Sequence, residues 1–205
     1  MEKRIASGIS IILHPFFIPS FVMLALLNLN VFMAFVIPLS IRLWIQGMIF
    51  VLTFAMPTVM IFFLHRAKII SSFYMENRSD RFYPLIMTGV FWGMAYYLLS
   101  RTGLPVLYYE FLLGGLAAII VATVVNHFWK ISIHMLGMGG LTGVFLGMSF
   151  RLGMDIFPLI AASILFSGLA GYSRIKLNSH SPSQVYTGYG VGAFLMVIVY
   201  LLPLI

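Results

Sequence analysis

The chain has 205 residues, 61% of them apolar and only 8% charged, where soluble domains carry roughly 25% charge. With a mean hydropathy of +1.05, that much apolar surface cannot be hidden inside a soluble fold of this length. This excludes an aqueous enzyme, a disordered chain and a nucleic-acid binder, and leaves an integral membrane protein. Twelve basic residues against five acidic ones give a net charge of +7, which reads as an orientation signal or as phosphate chemistry. There is no cysteine, so disulfides and thiolate metal sites are excluded.

At the N-terminus, Lys3 and Arg4 precede an apolar run. No small-residue cleavage site followed by a soluble domain comes after them, so the segment is read as mature sequence and not as a signal peptide. A spanning helix needs about 20 apolar residues, and seven segments qualify: 9–37, 43–64, 84–100, 105–128, 132–150, 155–172 and 185–204. In the first, Pro15 and Pro19 predict a kinked or interfacial start. The third is the shortest. The expectation is an all-α polytopic membrane helix bundle of about six to seven transmembrane helices, forming a single domain over 1–205. On the fifth segment, Gly139, Gly143 and Gly147 recur at four-residue steps and predict a close-packing face.

The connections are of two kinds. Segments 38–42, 101–104 and 151–154 are short hinges, whereas 65–83 and 173–184 are longer and polar. Seven crossings put the N-terminus, 65–83, 129–131 and 173–184 on one face, called the motif face below. Lys3, Arg4, Arg66, Lys68, Arg78, Arg81, Lys130, Arg174 and Lys176 lie there, against Arg42, Arg101 and Arg151 opposite. The positive-inside rule then turns the motif face to the cytoplasm.

Ionisable residues are scarce in membrane segments, so their clustering is informative. Three clusters fall on the motif face: Arg78-Ser79-Asp80-Arg81 with Pro84, then His127 to His134 with Lys130 and Ser132, then Ser173-Arg174 with His180 and Gln184. Arginine forks suit phosphate oxygens. A histidine can attack phosphorus or protonate a leaving oxygen. The constellation suggests phosphate-ester hydrolysis at a lipid surface.

The third cluster, with Ser173-Arg174, five residues, His180 and three residues before Gln184, followed by Gly188 and Gly192, resembles the last signature of the type 2 phosphatidic acid phosphatase superfamily. That signature ends in Asp where this chain has Gln184. Ser132-Ile133-His134 resembles the family's Pro-Ser-Gly-His, with Ile131 and Ile133 in the Pro and Gly positions. Arg81 and Pro84 resemble its first motif loosely, without the family's lysine. The resemblance implies that His180 is the nucleophile and forms a phosphohistidine. It implies that His134 protonates the leaving alcohol and then activates water, and that Arg174, Arg81 and Ser132 hold the phosphoryl oxygens. Charge and proximity in sequence add Arg78 and Lys130 as further phosphate-binding candidates, either of which stands in for the missing lysine.

At Gln184 an amide can accept the Nδ1 proton of His180 but cannot supply charge. In serine-protease relays the Asp-to-Asn change costs about 10⁴ in rate. Three outcomes stay open: an active amide relay, a slow enzyme, or a non-catalytic binder of lipid phosphate. Candidate substrates implied by the resemblance are phosphatidic acid, phosphatidylglycerol phosphate or a polyprenyl diphosphate, in a bacterial cytoplasmic membrane. The resemblance also implies an outward-facing site, opposite to the charge count.

Other polar residues read structurally. His14 and His127 are expected at helix ends, and His65, Arg66 and Lys68 as charges ending the second helix. Asp80 is expected to pair with a neighbouring arginine. Glu110 and Asp155 belong to the other face. No metal site or cofactor is expected, because the histidine spacing lacks the helical four-residue pattern with an intervening Glu. A transporter is a third reading, though there is no obvious inverted repeat.

Overall fold

The computed structural model describes residues 1–29, 37–73, 75 and 77–202. Among them the chain is a helical membrane bundle. The helices are α1 (Glu2–Ile12), α2 (Ile18–Asn28), α3 (Leu39–Phe50), α4 (Met56–Arg66), α5 (Phe82–Ser100), α6 (Glu110–Phe128), α7 (Ile133–Leu152), α8 (Phe157–Lys176) and α9 (Pro182–Leu201). Helices α1 and α2 together, α3 and α4 together, and each of α5 to α9 give seven segments long and apolar enough to cross a membrane. Helix suits this sequence because it satisfies every backbone polar group within the segment, which lipid demands.

The first segment is broken, as its prolines predict. Pro15 opens a 3₁₀ turn, Pro15–Phe17, that separates α1 from α2. The expected boundaries 9–37 need correction, because α1 starts at Glu2 and α2 ends at Asn28; residues 30–36 of that expectation lie outside the described residues. Polar residues hid the early start. Ala6 and Ser10, one turn apart, are the buried face of α1, and Glu2 pairs with Lys176 of α8.

The expected hinge 38–42 is also corrected. Helix α3 begins at Leu39, and Arg42 lies inside it, donating to the carbonyls of Ile37 (2.9 Å) and Leu27 (3.1 Å). Between α3 and α4 the helix widens into one π turn, Val51–Ala55. Pro57 explains it, since a proline lacks the N–H that an α-helical carbonyl four residues earlier needs.

Helix α7 is the centre of the bundle and packs on α9 at backbone distance. A Cβ added at Gly139 would sit 2.0 Å from the Tyr189 carbonyl oxygen, and one at Gly143 would sit 2.5 Å from that of Ala193. From the other side, a Cβ at Gly192 would sit 2.0 Å from the Leu136 carbonyl oxygen, and one at Gly188 would sit 2.7 Å from that of Ser132. Helices gain little from burial against each other in lipid, so such close approach of small residues is what associates them. Gly153, at φ +61°, ends α7 in the left-handed conformation that glycine adopts without strain.

At the end of the bundle away from the motif face, Arg151 of α7 holds Glu110 of α6, with Nη1 at 2.8 and 2.6 Å from the two carboxylate oxygens. Glu110 is fully buried there, and Tyr200 donates to the Leu107 carbonyl beside it (3.2 Å). Asp155 accepts from the Phe157 N–H at the start of α8. These two carboxylates are structural, as the sequence reading expects.

Candidate active site

The turn Ser79–Arg81, the stretch 129–132 and the loop 177–181 come together at one end of α5, α7, α8 and α9. Arginines directed at backbone carbonyls join them. Arg81, buried, donates through Nε to Met75 (3.0 Å) and through Nη1 to Ile131 (3.1 Å). Arg78 donates to Phe128 (2.6 Å), and its own carbonyl accepts from Asn126 Nδ2 (2.9 Å). The Ser132 N–H reaches the Gln184 carbonyl (3.4 Å), which locks the start of α7 to the start of α9.

The start of α9 fixes the chemistry of His180. Ser181 and Gln184 form a capping box: the Ser181 hydroxyl accepts from the Gln184 N–H, and Gln184 Oε1 accepts from the Ser181 N–H (3.3 Å). That second bond identifies the atom as the amide oxygen. The same Oε1 lies 2.9 Å from His180 Nδ1. An amide oxygen only accepts, so Nδ1 carries the proton and Nε2 carries the lone pair. His180 is buried, and burial first of all pushes its pKa down, to about 4. The bond to Gln184 opposes this, while the positive charges of Arg81, Arg174 and Lys130 add to it. At neutral pH His180 is therefore an uncharged imidazole set among three cations.

His134, on the first turn of α7, is within the electrostatic reach of Arg174, His14 and His180. Its Nε2 lies 3.3 Å from the Ser10 carbonyl oxygen and 3.4 Å from the Ser10 hydroxyl. A carbonyl only accepts, so Nε2 carries a proton and Nδ1 is left to give or take the second one. Arg174 Nη1 donates to the same Ser10 hydroxyl at 2.7 Å, while its buried Nε has no hydrogen-bond partner among the described residues. The fully buried hydroxyl of Ser132 also lacks one. Both are polar atoms at the site with bonding capacity left for a ligand.

The structure thus brings together His180, Gln184, His134, Arg174, Arg81, Ser132 and Lys130. Arg78 is turned elsewhere: its Nη1 faces the C-terminal carbonyls of α6, and it is not among the cations acting on His180. Asp80, read as an arginine partner, accepts from the Ser71 hydroxyl.

Two residues at the site escaped the sequence reading. Ser10 bridges His134 and Arg174. His14 accepts from the Phe16 N–H, the helix-end role expected of it, but its ring also meets that of His134 edge-on, with centroids 5.0 Å apart. Helix α1 carries Ser10 to the site because Ser173 donates to the Ala6 carbonyl (2.7 Å), which pins α1 to α8. Among the described residues there is no group of three His, Asp or Glu side chains that could hold a metal ion. In comparison with known proteins, no family model, curated protein or solved structure matches the chain.

Proposed function

We propose that the protein is a membrane lipid phosphatase that hydrolyses a lipid phosphate or diphosphate monoester through His180. The observation that carries this reading is the buried, neutral His180, held by Gln184 with its Nε2 lone pair available, beside His134 and within reach of Arg174, Arg81 and Lys130. Nε2 attacks phosphorus, and the P–O bond to the lipid alcohol breaks as the N–P bond forms. His134, which takes up a proton at Nδ1 from the bound phosphate monoanion, gives it to the departing oxygen. It then takes a proton from water, whose oxygen attacks the phosphohistidine and returns His180 to its neutral form. Arg174 and Arg81 offset the charge on the phosphoryl oxygens. Gln184 holds the tautomer and supplies no charge, so turnover is slow compared with a carboxylate relay.

The substrate class is phosphatidic acid, phosphatidylglycerol phosphate or a polyprenyl diphosphate, and the setting is a bacterial cytoplasmic membrane. A second reading is favoured by Gln184 itself, whose amide cannot stabilise the imidazolium formed on attack. On that reading the same cradle binds a lipid phosphate without cleaving it. The two separate when protein purified in detergent is incubated with each lipid phosphate and phosphate release is followed. Release that disappears in His180→Ala supports the enzyme. Equal release in both proteins removes His180 from the mechanism, and tight binding without release supports the binder.

A further inference from the structure

A cleft and a groove lie together on the outside of α5 and α6, and neither is lined by His134, Arg174 or His180. The cleft, about 420 Å³, is lined by Arg78, Ser79, Tyr83, Asn126 and His127 among others. The groove, about 350 Å³, runs along the same two helices between Leu85, Gly89, Leu116 and Ile120 and is almost wholly apolar. Thr123 lines both, so the two adjoin there. A cationic polar end leading into an apolar channel has the shape of one amphiphile: headgroup at the surface, chain along the helices.

We propose that this is a binding site for an anionic glycerophospholipid with a hydroxylated headgroup, of the phosphatidylglycerol type. Its phosphate meets Arg78, and one acyl chain fills the groove. Arg78 is exposed and uses Nη1 on the α6 carbonyls, and its guanidinium carries further N–H groups that suit a phosphate fork. Asn126, 6% exposed at the cleft, has its Nδ2 on the Arg78 carbonyl, while its Oδ1 lacks a hydrogen-bond partner among the described residues. That oxygen calls for a donor, and a headgroup hydroxyl is one. An ethanolamine ammonium is also a donor, but it would sit beside Arg78 and is disfavoured by like charge. Gly89 keeps the groove open: a Cβ there would meet Ile119 and Leu116 at ordinary contact distances of 3.5 and 3.8 Å, so the backbone tolerates a side chain that would then fill the channel. The site stands apart from the proposed phosphatase and does not rest on it.

The test is native mass spectrometry of the whole chain released from detergent containing palmitoyl-oleoyl phosphatidylglycerol, phosphatidylethanolamine or phosphatidylmethanol. The wild type should retain one phosphatidylglycerol under conditions that strip phosphatidylethanolamine. Phosphatidylmethanol, an anionic diester with no headgroup hydroxyl and no phosphate monoester for the His180 site, should be held more weakly. Arg78→Gln should weaken retention of phosphatidylglycerol at least about tenfold, the loss expected for one charge-assisted hydrogen bond. Gly89→Phe, which leaves the cleft and the α6 terminus intact, should weaken it as much by blocking the groove. Equal retention of the three lipids by the wild type, or phosphatidylglycerol held undiminished in Gly89→Phe, would overturn the proposal.

Discussion

Replacing Gly192 by alanine should loosen the bundle at its centre and disturb the candidate site through the same contact. The added Cβ would lie 2.0 Å from the Leu136 carbonyl oxygen and 2.9 Å from the Gly140 nitrogen, both backbone atoms of α7. Neither can rotate away, so the helices must part by more than about 1 Å to restore ordinary contact. Overpacking of this kind costs about 1–3 kcal/mol, and an immovable carbonyl places Gly192→Ala at the upper end. For a chain of this size 3 kcal/mol lowers the melting temperature by roughly 6–12 °C. Gly190→Ala is the control on the same helix, because a Cβ there meets nothing within 4 Å. Relief of glycine's helix penalty should leave it unchanged or raised by up to about 1 kcal/mol. Thermal unfolding in detergent, followed by the fluorescence of Trp44, Trp92 and Trp129, reads both. Equal melting temperatures for the two variants would refute the close-packed α7–α9 seam. The site should respond as well, since His134 is the second residue of α7 and α9 begins just beyond His180.

Gln184→Glu keeps the length of the side chain and its place in the capping box while adding the missing charge. It should raise phosphate release and, by favouring the imidazolium, move the His180 titration upward from about 4, as followed by NMR of the imidazole protons. In the wild type the acid limb of activity should therefore fall near pH 4, not at the usual histidine value. Gln184→Leu, which removes both bonds to Oε1, should lose activity. Arg151→Ala leaves the buried Glu110 carboxylate without its cation and should destabilise the protein by about 2–4 kcal/mol, less than for a wholly buried pair because Arg151 keeps some water; an unchanged midpoint in a denaturant titration would contradict this. Orientation is read in the cysteine-free chain by placing single cysteines at Asn77 and Thr102, exposed on opposite faces. With a cytoplasmic motif face, only Thr102→Cys labels with an impermeant maleimide in intact cells. Labelling of Asn77→Cys alone would instead turn the site outward.

The apolar runs made the seven segments legible, because lipid leaves a helix no other way to satisfy its backbone. The glycine stripe of α7 was legible too, since spacing alone puts Gly139, Gly143 and Gly147 on one face. Helix ends were less so. Glu2 and Arg42 look like breaks in an apolar run, yet each is held by a partner within the fold, Lys176 for one and two backbone carbonyls for the other. The approach of His180 to Gln184 is legible from their four-residue separation, although His180 lies in the loop before α9 and the contact is made by Gln184 turning back over the helix cap. Nothing comparable marks Ser10, which is 124 residues from His134 and 164 from Arg174; its place depends on how α1 packs on α8. The direction of Arg78 is likewise a tertiary fact, set by where the last carbonyls of α6 fall.

Catalysis by His180 as a nucleophile requires a covalent phosphohistidine, which can be trapped. Protein in detergent is mixed with a lipid phosphate labelled in its phosphoryl group, quenched in alkali within the first turnovers and analysed for label on the chain. An acid-labile, alkali-stable label is expected on His180, absent from His180→Ala and longer-lived in His134→Ala, where water is not activated. Phosphate release without a label on the chain, or a label undiminished in His180→Ala, would contradict a nucleophilic His180.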